Sequence, residues 1–353
     1  MEKYGSHIDS IDMGFFMPIQ ILLIIIYLGV EMVMKSKLIL GLTLFFLLAT
    51  SCNLFAKNAI ILSSFGTTET SALSSILNIK SMVEKAFPKT RVELVFTSNI
   101  IRNIWQERSQ SQKEWLDKGI PSEVLNVKGI LETFGKLQSA GYRDIVVQPT
   151  HMFHMEQYSD LSAYVNSIAS IKTVREKWLP FDTIVMGRPA MGTIGVDYPY
   201  HEDLAKVVKI LKVDVKKAKE TNSILVYMGH GNEVWSTGIY AELQKAMRAT
   251  YPETTTFVGS VEGYPGLEDV KMGLTHIKPK TKNILLKPLM IVAGDHAKND
   301  MAGDEEDSWK SGFTELGYKV NPVLAGLGSN DKFAKIFVNH IKDAAKEGNI
   351  KLK

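Results

Sequence analysis

The chain has 353 residues, 45% of them hydrophobic and 22% charged, with a formal net charge of +3. This is ordinary globular composition, long enough for a sizeable core or two lobes. The near-neutral balance, with no basic run interleaved with aromatics, excludes a nucleic-acid partner, and the single cysteine, Cys52, excludes an intramolecular disulfide or a cysteine-based metal cage.

Residues 1–56 differ from the rest. Phe15–Val30 is nearly all apolar, and Met34-Lys35-Ser36-Lys37 then precedes a second apolar run, Leu38–Leu48, and Ala49-Thr50-Ser51-Cys52. A short basic region, an apolar core and small residues make a signal peptide starting at Met34. A pair of anchoring membrane helices is the alternative. Cys52 is a candidate lipid acceptor, although Ala49 stands where lipoprotein boxes usually carry leucine. Both readings place the folded part outside the cytoplasm, in the periplasm or at the envelope.

From Ala59 the pattern becomes strand, loop and helix in alternation, which predicts an α/β fold with parallel sheets. Ala59–Ser64 reads as a buried strand, followed by Phe65-Gly66-Thr67-Thr68 and a helix from Ser71 to Phe87 that Pro88 stops. Val92–Thr97 is a second strand; Ile100–Gln112 and Ser122–Ala140 read as helices. Ile145–Gln148 leads into Pro149-Thr150-His151 and a helix from Tyr158, and Thr183–Met186 into a glycine-rich loop, Gly187–Gly195. A helix from Tyr200 to Thr221 leads out of this first half.

The second half repeats the scheme. Ile60–Gly66 parallels Leu225–Gly231, and Ile145–Pro149 parallels Ile284–Pro288. Glu93–Ser98 matches Thr255–Ser260, and Val185–Gly187 matches Leu324–Gly326. Two similar lobes with a cleft between them follow: a targeting segment at 1–56, a first lobe at 57–199 and a second at 200–353. The duplication also locates the chemistry. His230 falls on Phe65 and His296 on Gln157, so metal-type residues concentrate in the second half rather than in both.

Three strand ends of that half carry them. Met228-Gly229-His230-Gly231 follows the first strand, Val261-Glu262-Gly263-Tyr264-Pro265 the second, and Ala293-Gly294-Asp295-His296 follows the run Asn283–Met290. Neighbouring strand ends of a parallel sheet lie side by side, where such folds put their ligands. Two imidazoles and a carboxylate suit a divalent first-row metal, and three protein ligands leave positions open for chemistry.

These segments, together with Ser64-Phe65-Gly66-Thr67 and Ala293–Met301, closely resemble the anaerobic cobalt chelatase family, the class II tetrapyrrole chelatases that insert cobalt into sirohydrochlorin. The resemblance covers Lys57 to Ala345. It implies that His230 is both proton acceptor and metal ligand, that Glu262 and His296 complete the metal site, and that the partners are a tetrapyrrole and a divalent ion, cobalt first, with iron or nickel as alternatives. Phe65, Gly66, Thr67, His151, Tyr264 and Met290 are expected to line the macrocycle site, with Met228 as a further wall and Lys298 and Arg188 as partners for its carboxylates. Family members often carry an acid where this chain has Gln157, which leaves neighbouring Glu156 as a substitute. His151 and His154 offer imidazoles for an additional metal or haem. A homo-oligomer is compatible with the family. An exported haem or metal carrier and a ferrochelatase-type activity are the competing functions.

Overall fold

The computed structural model describes residues 57–195, 198–234 and 238–353; the apolar runs before Lys57, and Cys52, lie outside them. Residues 56–353 form one compact unit. Among the described residues are eight strands: β1 (Lys57–Ser64), β2 (Arg91–Phe96), β3 (Tyr142–Pro149), β4 (Thr183–Met186), β5 (Ser223–Gly231), β6 (Thr256–Glu262), β7 (Asn283–Leu289) and β8 (Lys319–Pro322). Helices of nine residues or more are α1 (Leu73–Ala86), α2 (Asn99–Arg108), α3 (Ile130–Ser139), α4 (Glu156–Ala169), α5 (Tyr200–Ile210), α6 (Lys212–Glu220), α7 (Ile239–Thr250), α8 (Leu267–Ile277) and α9 (Asp331–Glu347).

The strands make two all-parallel sheets in the same order, β2-β1-β3-β4 and β6-β5-β7-β8. In each, the central strand is covered on both faces, so its sequence is a continuous apolar run whose alternation appears only in what each side chain touches. Ala59 and Ile61 pack outward with Phe134 of α3 and Leu161 of α4. Ile60 and Leu62 point inward to a cluster that also takes in Leu225, Tyr227 and Leu285 of the second sheet. Ile224, Val226 and Met228 turn to the far face, against Val270 and Leu274 of α8 and against Trp309 and Phe313.

The two halves therefore share one central core. The last helix strengthens the link: α9 packs on α1 and β3, and its N-cap residue Asn330 accepts from the Phe333 amide. A division at Pro199/Tyr200 separates the two sheets, but the packing runs across it.

The internal repeat is exact at the central strands. Ser63 pairs with Pro149 and Met228 with Pro288, and Gly66 and Gly231 both adopt positive φ, 101° and 79°. The edge strands depart from the sequence match. Val95 pairs with Ser63 as Gly259 pairs with Met228, so Val95 corresponds to Gly259 rather than Phe257. Met186 corresponds to Pro322 rather than Ala325, because Val147 and Leu286 hold those partners. The expected helix from Ser122 to Ala140 is also two pieces, Ser122–Leu125 and α3. Between them Lys128 bridges to Val95, and its carbonyl accepts from the Phe96 amide at 3.1 Å.

Candidate metal centre

His230 is the penultimate residue of β5, and the two glycines beside it are required by their surroundings. A Cβ at Gly229 would lie 2.3 Å from the Tyr240 ring; one at Gly231 would lie 1.7 Å from the Glu262 carbonyl oxygen and 2.7 Å from Ser260 Cβ. The positive φ of Gly231 turns the chain at this approach. The tip is fixed further by the Gly231 N–H donating to the Tyr240 hydroxyl at 2.9 Å, in a phenol that burial pushes up to about 12 and so keeps protonated. Glu262 ends the neighbouring strand β6, in register with Gly231. His296 follows β7 at the start of a single π-helical turn, Ala297–Met301, an element that recurs at functional sites.

Sheet order thus brings three side chains from distant sequence positions to one point. The candidate ligand atoms of His230, Glu262 and His296 lie within 4.8 Å of one another, the one such group among the described residues. The two imidazoles meet edge to face, 4.7 Å between centroids, and His230 Nδ1 is 3.6 Å from Glu262 Oε2. All three are half-buried, open enough for an ion to enter.

The outer partners decide which nitrogen would face an ion. The Gly231 carbonyl lies 3.1 Å from His230 Nδ1 and accepts only from a protonated nitrogen, which leaves the lone pair on Nε2. Asp300 Oδ2 lies 2.6 Å from His296 Nδ1 and sets the same tautomer there, the carboxylate–histidine pairing typical of metal ligands. Asp300→Asn should therefore weaken binding of Co²⁺ to the chain about 10- to 100-fold. Calorimetric titration of the two proteins with cobalt checks this; equal affinities would make the pair a helix-surface contact only. Asp300 is the partner of His296 that sequence reasoning missed as an individual, although the spacing His296-x-x-x-Asp300 carried the signal.

Beside the three residues opens a cavity between the strand ends of the two halves, lined by Phe65, Gly66, Thr67, His151, Met290 and His296 among others. Five of the six residues expected around a ligand are thus on its wall. Tyr264, 65% exposed, is not. His151 has both ring nitrogens shut off from solvent and without a hydrogen-bond partner, and burial pushes it down to about 4, so it is neutral near pH 7. His154 is turned away, 3.2 Å from the Ser159 hydroxyl and packed on the Tyr158 ring.

Other expectations are corrected. Met228 is no cavity wall: strand alternation sends it to the core on the far face of the sheet. Arg188 is not open to a ligand carboxylate, because Asp203 at 2.6 Å and Asp343 at 2.9 Å hold its guanidinium and Tyr198 covers it. Lys298 is paired with Glu69. Gln157 lines the cavity, whereas Glu156 accepts from the Asn232 amide at 3.0 Å and links the β5 loop to α4.

Comparison with known proteins gives the family and the fold. The model of the family described as cobalt chelatase (CbiK) matches residues 58–346. The sirohydrochlorin cobaltochelatase of Salmonella typhimurium is 28% identical over 291 residues, covering 82% of this chain and 96% of the relative. The sirohydrochlorin cobaltochelatase CbiKC of Nitratidesulfovibrio vulgaris is 25% identical over 293 residues, 82% of this chain and 90% of the relative. Among solved structures, SirB from Bacillus subtilis with Fe3+ shares the fold, with a TM-score of 0.53 at 14% identity, covering 84% of this chain and 100% of SirB.

Proposed function

This chain belongs to the cobalt chelatase (CbiK) family, and from that premise we propose that it is a sirohydrochlorin cobaltochelatase, a lyase-type enzyme that inserts Co²⁺ into sirohydrochlorin with release of two pyrrole protons. The observation that carries the reading is the convergence of His230, Glu262 and His296 beside the cavity. Cobalt is a substrate here, so the site must hold it and then give it up. His296, steadied by Asp300, and the Glu262 carboxylate keep the ion while it sheds water; the carboxylate also offsets its charge. His230 has the double task. As pyrrole nitrogens replace it on the ion, its Nε2 lone pair becomes free to take a pyrrole proton, and a neutral imidazole is a competent base near neutral pH.

The cavity is about 270 Å³, just below the roughly 300–1,000 Å³ usual for ligand sites. A flat macrocycle therefore places one edge inside and keeps its carboxylate fringe in the open cleft. His151 lies on the wall that edge would meet, with both ring nitrogens turned from solvent, and a turn of its ring would present a neutral donor or acceptor. His151→Phe should raise KM for the macrocycle about 2- to 10-fold, the worth of one hydrogen bond, and leave Co²⁺ affinity of the macrocycle-free chain unchanged; an unaltered KM would remove His151 from the site. The same variant has a stability signature. Between pH 6.5 and about 4 the unfolded chain takes up a proton that the folded chain refuses at His151, so the wild type loses stability on acidification through that window and the variant loses less.

The direct test is anaerobic incubation of the chain with sirohydrochlorin and Co²⁺, followed by absorbance. Metallation above the spontaneous rate supports the enzyme; tight macrocycle binding with no acceleration would replace it with a carrier.

A further inference from the structure

The amino ends of the first sheet's strands, opposite the metal centre, carry features that cobalt insertion does not use. The chain enters there at Lys57, whose ladder partner is Tyr142. The carboxyl-terminal tail crosses beneath the same edge. Gly348 lies against Thr183 and Val185, the Lys351 carbonyl accepts from the Asn58 amide at 2.7 Å, and the Lys353 carbonyl accepts from the Lys89 amide at 2.9 Å. Lys57, Lys89, Lys351 and Lys353 are thereby gathered, all exposed, at one end of the sheet.

The loop that feeds β4 ends at this edge too. Arg143 donates to the Leu179 carbonyl, and the Asp182 amide donates to the Arg143 carbonyl at 2.8 Å. The loop adds Lys172, Arg175 and Lys177, and with them two apolar side chains turned to solvent: Val174 is 105% exposed and Trp178 67%. The carboxylates at this end are largely occupied. Glu93 is held by Arg91 and Lys136, and Asp182 by Arg143; Asp144 and Glu176 remain.

The sequence before Lys57 indicates what covers this face. Only eight residues separate Lys57 from the end of the apolar run at Leu48, a tether that spans at most about 30 Å when fully extended. Where that segment stays in a bilayer instead of being cleaved as a signal peptide, or where Cys52 carries a lipid, the tether keeps the amino-end face within reach of that bilayer. Basic side chains around an exposed tryptophan suit an anionic headgroup layer, where tryptophan settles at the headgroup level and lysines meet the surface charge.

We infer that the amino-end face of the first sheet, with Lys57, Lys89, Lys351 and Lys353 along its edge and Val174 and Trp178 on the loop that enters β4, docks on an anionic phospholipid surface. The metal centre at the strand carboxyl ends then opens away from the membrane.

The test is tryptophan quenching by brominated phosphatidylcholine, with the full chain reconstituted in vesicles of phosphatidylcholine and phosphatidylglycerol. The chain has five tryptophans, so the comparison is with Trp178→Phe. The expected result is that this variant loses more than half of the quenching. Omitting phosphatidylglycerol, or raising the salt, should lower wild-type quenching at least twofold, since headgroup attraction is screened. Quenching of Trp178→Phe equal to wild type, or quenching indifferent to both lipid charge and salt, would overturn the inference.

Discussion

His230→Ala should lower the rate of cobalt insertion by about 10²–10⁴ even at saturating metal, the worth of a positioned general base. His296→Ala and Glu262→Ala should behave differently. Each removes a ligand from a group whose donor atoms lie within 4.8 Å, so the loss falls on metal affinity and excess cobalt recovers much of the rate. The distinction rests on the chemistry of the macrocycle. Two N–H protons must leave before all four of its nitrogens can close on the ion, and no metal concentration replaces the group that receives one of them. Initial rate against cobalt concentration for the three variants, at fixed macrocycle and pH, separates the roles. Recovery of His230→Ala to the same degree as the other two would reduce His230 to a ligand.

Gly231→Ala should be the most damaging small substitution at the site, destabilising the fold by roughly 2–5 kcal/mol as left-handed backbone strain and overpacking add. The added Cβ would lie 1.7 Å from the Glu262 carbonyl oxygen in a residue at φ 79°, so β5 and β6 must part at the place where they hold His230 and Glu262 together. Gly317→Ala is the control, since its φ is 75° with nothing within 4 Å of the new Cβ. Denaturant midpoints of the two variants should differ clearly, with Gly317→Ala carrying only the backbone term. Equal midpoints would mean that the strand tips do not approach as closely as described.

The features legible in the sequence were those with a local chemical cause. Gly66 and Gly231 mark equivalent left-handed turns, and Pro149 and Pro288 equivalent ladder positions, so the central strands of the repeat aligned themselves. Edge strands lack such punctuation. An apolar run displaced by two residues keeps its faces, and Val95 was accordingly matched two residues away from its true counterpart. Near β4 a glycine was matched to a glycine, although β8 has already left the sheet when the chain reaches Gly326.

The same division holds at the site. His230, Glu262 and His296 were readable because each is a metal-type residue at a strand end. Met228 was misplaced because the face on which a side chain of a doubly covered strand lies depends on tertiary packing. The fate of Arg188 depended on Asp203 and on Asp343, the latter far away in sequence on α9. The isolation of His151 is likewise a property of the cavity, with no local pattern to announce it.

Cobalt reports on its own surroundings, and so on whether His230, Glu262 and His296 form one site for a divalent ion. Titration of the macrocycle-free chain with Co²⁺, read by its visible absorption and by X-ray absorption at the cobalt edge, should give one tight equivalent with two imidazole nitrogens and a carboxylate oxygen. That equivalent should be lost when the three residues are replaced together. An undiminished tight equivalent in the triple variant would place the metal elsewhere and contradict the account.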